Sequence, residues 1–348
     1  MMKVMIVQEE IPHYRVPVFD ELGKRVELTV VFSKGDAPSG VSFQCKKVET
    51  FRFKYVFHKK SIWWMARGFD AVIYSYGMGF FCLKPLAALP RKYKLIYWSI
   101  GVSASYAGRY DADQNWAENF KKRIEKGDAV LFYSDYPIKK YIGMGVDPKK
   151  MFVANNTVRV LPCADREKDS ILFIGSLYKQ KKIDILLEAY KEAYSRNKDV
   201  PKLVIIGDGN ERSGIEKWIS DQDLGEKIHL TGSIFDDEAL VPYFEKAIMC
   251  VSPDQAGLSV LKSMGYGVPY VTHRNAITGG EIFNIKNGEN GILMEDFNEL
   301  PEIILEAAEN KERFRQMGQA AKLHYDTERT VGRMVDGFCE AINYAVGT

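Results

Sequence analysis

At 348 residues, with 46% hydrophobic and 27% charged side chains, the chain has the length of two average domains and the composition of filled globular cores, which excludes a disordered or collagen-like polymer. No apolar run approaches the ~20 residues that span a bilayer, and the five cysteines (45, 82, 163, 250 and 339) stand apart without CxxC spacing, against a disulfide scaffold and a zinc site alike. The net charge of +2 is uneven: residues 1–165 hold 26 Lys and Arg against 16 Asp and Glu, and the remainder holds 22 against 30.

In chain order, short apolar runs at Val4–Val7, Leu28–Phe32, Ala71–Ser75, Leu95–Ser99 and Ala129–Tyr133 predict strands. Helices are expected between them, near Val16–Arg25, Gly79–Ala88, Gln114–Lys126 and Tyr136–Gly143. Such alternation implies βαβ units and a parallel sheet. Residues Ser33–Lys60 are cationic and read as irregular. After the polar stretch Pro162–Asp169 the pattern restarts, with strands at Ile171–Ile174, Leu203–Ile206, Ile228–Leu230, Ile248–Val251 and Tyr270–Thr272. Helices are expected near Lys181–Ser195, Gly214–Gln222, Asp237–Glu245, Leu258–Gly265, Glu299–Asn310, Lys311–Tyr325 and Arg329–Ala345. The fold class is therefore α/β, with two consecutive doubly wound domains. The opening reads as a buried strand and not as an export signal, so a cytoplasmic protein is expected. The first strand runs into Gln8-Glu9-Glu10 without a glycine, which argues against a dinucleotide dehydrogenase.

Gly175-Ser176-Leu177-Tyr178-Lys179-Gln180-Lys181-Lys182 follows a strand and opens a helix. A tight glycine turn, free N–H groups at a helix start and three lysines suit a diphosphate; an ordinary strand-to-helix loop with solvated lysines reads the same residues. Further on, Val251-Ser252-Pro253-Asp254 leads through Gly257-Leu258-Ser259 and Lys262 to Gly267 and Pro269.

With that segment the chain resembles the family-4 retaining glycosyltransferases of the GT-B fold, over nearly its whole length. There the segment reads roughly P-S-x-x-E-G-x-G-L-x-x-L-E-A-M-A-x-G-x-P. Asp254 stands at the first glutamate, which holds the donor sugar, and Lys262 at the second, which holds the nucleotide ribose. An aspartate still accepts hydrogen bonds from hydroxyls; a lysine only donates. The family's F-x-G-R-L…K-G segment matches Phe173 through Lys182, with Lys181 at the phosphate-binding lysine and Ser176 in place of an arginine. Its G-D-G-P-E-R turn matches Gly207–Arg212, Ser233 and Ile234 fall in the loop near the base, and Asn287–Gly291 matches its D-G-x-N-G turn.

The resemblance implies two Rossmann-like parallel-sheet domains facing across a cleft. Residues 1–165 would bind the acceptor, 166–327 the nucleotide-sugar donor, and 328–348 would form a helix returning to the first domain. Met334, Phe338, Ile342 and Val346 recur every fourth residue, one apolar stripe in need of a surface. The expected reaction is retaining, metal-independent transfer of a sugar from a UDP or GDP donor to a hydroxyl of a growing, lipid-linked glycan, with Asp254 and Lys181 at the chemistry. The expected donor contacts are Gly175, Ser176, Lys181, Lys182, Gly207, Ser233, Ile234, Asp254, Gly257, Leu258, Ser259 and Lys262. No cofactor, metal or nucleic acid is called for. Asp111-Ala112-Asp113 is a D-x-D, but it precedes a helix and reads as its cap.

In the first half, Pro12-His13-Tyr14-Arg15-Val16-Pro17-Val18-Phe19 resembles the P-x-Y-R-x-P-x-F opening of members that build surface polysaccharides. His13 and Arg15 are thus acceptor-side candidates, with Arg15 paired to a nearby acid as the alternative. His58–Lys60, Trp63-Trp64, Arg67 and Phe80-Phe81 combine basic and aromatic residues, a pairing that suits an anionic membrane surface at the inner face, or else buried tryptophans. Two other classes fit the same pattern: a non-catalytic sugar-nucleotide or glycan-binding GT-B partner, and a sugar-nucleotide epimerase.

Overall fold

The computed structural model describes residues 1–53, 55–76, 83–104, 110–164 and 166–348. The chain divides into two compact units, one of residues 1–104, 111–159 and 329–348, the other of 105–110 and 160–328. The division falls after Arg159, a few residues ahead of the polar stretch, because the Val160 side chain already packs against Gly265 of the second unit.

The first unit runs β1 (Lys3–Val7), α1 (Val16–Gly23), β2 (Glu27–Phe32), β3 (Gln44–Lys47), β4 (Thr50–Phe53), β5 (Tyr55–His58), α2 (Ile62–Ala66), β6 (Ala71–Ser75), α3 (Pro85–Ala88), β7 (Lys94–Ser99), α4 (Gln114–Ile124), β8 (Ala129–Phe132), α5 (Ile138–Gly143) and β9 (Met151–Val153). Seven strands form a parallel sheet in the order β3-β2-β1-β6-β7-β8-β9. Strand alternation divides its apolar residues between two faces. Val4, Ile6, Ala71, Ile73, Ile96 and Trp98 share one core; Met5, Val7, Val72, Leu95 and Tyr97 share the other.

Residues 33–43 form no helix or strand, as expected, but the remainder of the stretch to residue 60 supplies the edge strand β3 and the antiparallel pair β4–β5. Periodicity misses β3 because its residues, Gln-Cys-Lys-Lys, are polar and mostly exposed, as edge strands often are. Of the helix expected over 79–88, residues 79–82 lie outside the described residues, Phe80-Phe81 among them, and Pro85–Ala88 is helical.

The second unit runs β10 (Ser170–Ile174), α6 (Ile183–Arg196), β11 (Lys202–Ile206), α7 (Arg212–Asp221), β12 (Ile228–Gly232), α8 (Asp237–Lys246), β13 (Ala247–Val251), β14 (Gln255–Ala256), α9 (Leu258–Gly265), β15 (Tyr270–His273), β16 (Ile277–Thr278), β17 (Gly291–Met294), α10 (Leu300–Glu309) and α11 (Lys311–Glu328). Its six-stranded parallel sheet has the order β12-β11-β10-β13-β15-β17.

Helix α11 continues through Tyr325–Glu328, which the sequence reads as an interruption; the break falls at Arg329-Thr330, where the Thr330 side chain caps α12 (Val331–Val346). Met334, Phe338 and Ile342 of α12 are buried in the first unit beside α1 and Trp98. Gly337 makes the close approach possible, since a Cβ there would lie 2.1 Å from the Val153 carbonyl oxygen.

Candidate functional site

Each sheet runs outward from its first strand and then resumes on the other side. The topological switch points therefore lie between β10 and β13 in the second unit and between β1 and β6 in the first. The carboxyl ends of the strands at such a point are where open α/β sheets bind ligands.

In the second unit the β10 end carries Gly175. Its N–H donates to the Ile206 carbonyl at 3.0 Å, the Leu177 N–H donates to the Asp208 carbonyl at 2.9 Å, and the Gly207 N–H donates to the Gly232 carbonyl at 2.9 Å. These turns stack so closely that a Cβ on Gly207 would lie 1.9 Å from the Gly175 oxygen, at φ +156°. Only glycine fits there. Against this backbone lies the Lys181 ammonium, 3.2 Å from where a Gly175 Cβ would stand. Lys181 is 6% exposed, and burial brings its pKa down to about 8. The neighbouring Cys250 thiol is pushed up to about 12 by its own burial and is a neutral companion. Among the described residues no carboxylate lies within ion-pair distance of Lys181.

The next residue, Lys182, adopts the left-handed conformation at φ 50° as the N-cap of α6. That conformation disfavours a side chain. Its ammonium is 2.8 Å from Asp254 Oδ2, on the loop after β13, and 4.5 Å from the Phe297 ring centroid. Lys182 and Asp254 thus neutralise each other, while Lys181 stays uncompensated. Lys262, one turn into α9, is tied to the Asp237 carboxylate at the start of α8. Its ammonium is therefore satisfied within the protein. Ser259 Oγ lies 2.8 Å from Tyr270 Oη, and Gly257 is the N-cap of α9, ahead of Leu258. Ser176 and Ser233 are exposed and Ile234 is half-buried, on the loops after β10 and β12. Sequence reasoning did not single out Tyr178, whose hydroxyl donates to Gln255, or Asp237; both owe their place to pairings between elements remote in the chain.

In the first unit Arg15 follows β1 in a short 3-10 turn and is 4% exposed. No acid pairs with it: among the described residues its partners are the ring faces of Tyr14, Trp98 and Tyr133, each 5.1–5.2 Å from Cζ, and the Met334 sulfur, 3.4 Å from Nη1. His13 is exposed, its ring edge-on to Tyr14. Asp113 caps α4 by accepting from the Trp116 N–H, and Asp111 is paired with Lys140. Among the described residues no three His, Cys, Asp or Glu side chains gather as metal ligands, and no helix is long and apolar enough to cross a membrane. Trp64 is 63% exposed and shares Arg67 with Trp63, the guanidinium lying over both rings.

Comparison with known proteins bears on this arrangement. Residues 163–324 match the family described as Glycosyl transferases group 1. An uncharacterized glycosyltransferase of Methanocaldococcus jannaschii is 26% identical over 208 residues, 58% of this chain and 56% of that protein. An uncharacterized 41.2 kDa protein in the cps region of Klebsiella pneumoniae is 28% identical over 244 residues, 62% of this chain and 61% of that protein. The matches thus span less than two thirds of either relative. The crystal structure of Anabaena HepE in complex with UDP superposes with a TM-score of 0.74 at 14% identity, covering 99% of this chain and 100% of that one. Residues 163–324 thus match the group 1 glycosyl transferases, and the chain as a whole shares the fold of HepE.

Proposed function

We propose that the chain transfers a sugar from a nucleoside-diphosphate sugar to a hydroxyl of a glycan acceptor, with the donor held at the β10–β13 switch point of the second unit. The observation that carries this reading is the Lys181 ammonium, buried against the Gly175 backbone with no carboxylate beside it among the described residues. A buried cation without a counter-ion is destabilising, and a diphosphate would supply both the charge and the acceptor oxygens. The N–H groups at the start of α6 add preorganised donors for charge on a departing diphosphate. HepE, solved with UDP, supports a uridine nucleotide as the first donor to try. Asp254, at the carboxyl end of β13, is the acceptor group for donor-sugar hydroxyls, with Lys182 holding its carboxylate in place.

Retention of configuration, independence from metal and a lipid-linked acceptor complete the proposal. They rest on the sequence resemblance, and the relative in a cps region supports polysaccharide synthesis. We place the protein in the cytoplasm, with the basic aromatic stretch around Trp63-Trp64 toward an anionic membrane face.

Incubation with UDP- and GDP-sugars, with and without a glycan acceptor and with EDTA in parallel, tests the whole reading. Nucleoside diphosphate is expected to accumulate with the acceptor present, in EDTA as well. Binding without turnover for every donor tried would return the chain to the class of non-catalytic partners. Loss of turnover in EDTA with recovery in Mg²⁺ would overturn metal independence.

A further inference from the structure

We propose that the first unit carries an oxyanion-binding site at its own switch point, built from Arg15, Gln8 and Trp98, and that the acceptor presents a carboxylate or phosphate to it. This deepens the reading above by naming a chemical feature of the acceptor.

The sheet register brings these residues together. Val7 pairs with Tyr74 in β6, and Ser75 pairs with Trp98 in β7. Gln8 therefore continues β1 opposite Ser75, and Gln8, Ser75 and Trp98 form one row across three strands, spaced about 4.8 Å apart. Alternation puts all three on the face that buries Val4, Ile6, Ala71 and Ile73. The Arg15 guanidinium lies over the Trp98 ring at 5.1 Å, so it stands at the same end of the same row.

The chemistry of this row is one-sided. Among the described residues, Gln8, 8% exposed, has no hydrogen-bond partner for its Nε2, and fully buried Trp98 has none for its Nε1. Buried donors without partners are rare and destabilising. Arg15 offers five N–H donors, and among the described residues its side chain meets one acceptor, a weak thioether. Ring faces attract a cation but accept few of its protons. If Arg15 served only to pin α12, an apolar side chain would do so without burying a charge. A guanidinium, an amide NH2 and an indole N–H brought together fit a group that is all acceptor and negatively charged. A carboxylate meets a guanidinium in a two-pronged pair, and a phosphate does the same with one oxygen to spare.

The test uses the full chain, with ionic strength held constant, and three probes: methyl glucuronoside, glycerol phosphate and neutral methyl glucoside. One or both anionic probes should bind at least about 10-fold more tightly than the glucoside. A preference for glucuronoside or for glycerol phosphate decides between an acidic sugar and a phosphate monoester. Arg15→Gln and Gln8→Leu should each remove most of that preference. Because Arg15 touches α12, Gln8→Leu is the variant that keeps the test valid if Arg15→Gln fails to fold. Equal affinity for charged and neutral probes, or a preference unchanged in Gln8→Leu, would overturn the proposal. UDP titrated separately into the wild-type chain reports on the donor reading alone, so either one can fail while the other stands.

Discussion

Lys181 in the second unit and Arg15 in the first each follow the opening strand of a parallel sheet, β10 and β1, beside its switch point. Both are buried, and among the described residues neither meets a carboxylate. Their surroundings differ. Lys181 lies against glycine-rich backbone and a neutral thiol, and burial brings its pKa to about 8. Arg15 lies among three aromatic faces and a thioether. An ammonium can lose its proton when starved of a counter-ion; arginine side chains keep their charge in proteins and need another kind of neighbour. The difference teaches that a buried cation is accommodated by its own chemistry: compact backbone suits the group that can titrate, and polarisable rings suit the one that does not.

The largest expected effect tests the backbone half of that comparison. Gly207→Ala drives a Cβ to 1.9 Å from the Gly175 oxygen in a conformation side chains avoid, and should lower unfolding free energy by about 4 kcal/mol. The end of β1 at the first unit's switch point has no glycine, and Gln8→Ala should cost under half as much in the same urea titration. Equal losses would show that tight backbone packing is not special to the Lys181 site.

Next comes the titrating cation. Lys181→Met should weaken UDP affinity on the order of 100-fold while leaving the unliganded chain no less stable, because an uncompensated ammonium is removed. The pH dependence follows from the sign of the shift. Unfolded, Lys181 has its ordinary value of 10.5; folded, about 8. Between those values the unfolded chain binds the extra proton, so this residue's contribution to stability rises with pH from about 8 to 10.5, by about 3 kcal/mol in all. Lys181→Met should lack that rise in unfolding titrations at pH 8 and 10. UDP binding should weaken above pH 8 in the wild type, since a neutral amine no longer answers the phosphate charge. A pH-independent affinity would remove Lys181 from the donor site.

Much of this was legible in the chain itself. Residues 4–7 and 171–174 read as strands because buried parallel strands are continuously apolar, and the Gly175–Lys182 turn was visible because glycine and lysine types carry its chemistry. Strand β3 was not legible, since an exposed edge strand has no apolar pattern. Neither were the roles of Gln8 and Trp98: their unpartnered donors follow from sheet register, which spans residues 8 to 98. Arg15 was visible as a motif residue, yet its aromatic surroundings draw on positions 14, 98, 133 and 334. Lys262 showed its departure from the family pattern, but its partner Asp237 lies on another helix.

The smallest effect concerns that pair, which is the contrasting case of a cation that has a carboxylate. Lys262 and Asp237 are 12% and 32% exposed at their side chains, so solvent screening reduces what the pair contributes to about 1 kcal/mol. Lys262→Glu puts a carboxylate where the resembled family has one, but sets it against Asp237, and like charges at that distance repel. The single variant should therefore lose about 1 kcal/mol, in contrast to Lys181→Met, which removes an unpaired cation and loses none. Asp237→Lys added to Lys262→Glu reverses the pair and should recover most of the loss. The coupling energy in this cycle is the quantity to measure, by urea unfolding of the two single variants and the double variant. Coupling below about 0.3 kcal/mol would mean that Lys262 gains nothing from its partner and that pairing does not separate it from Lys181.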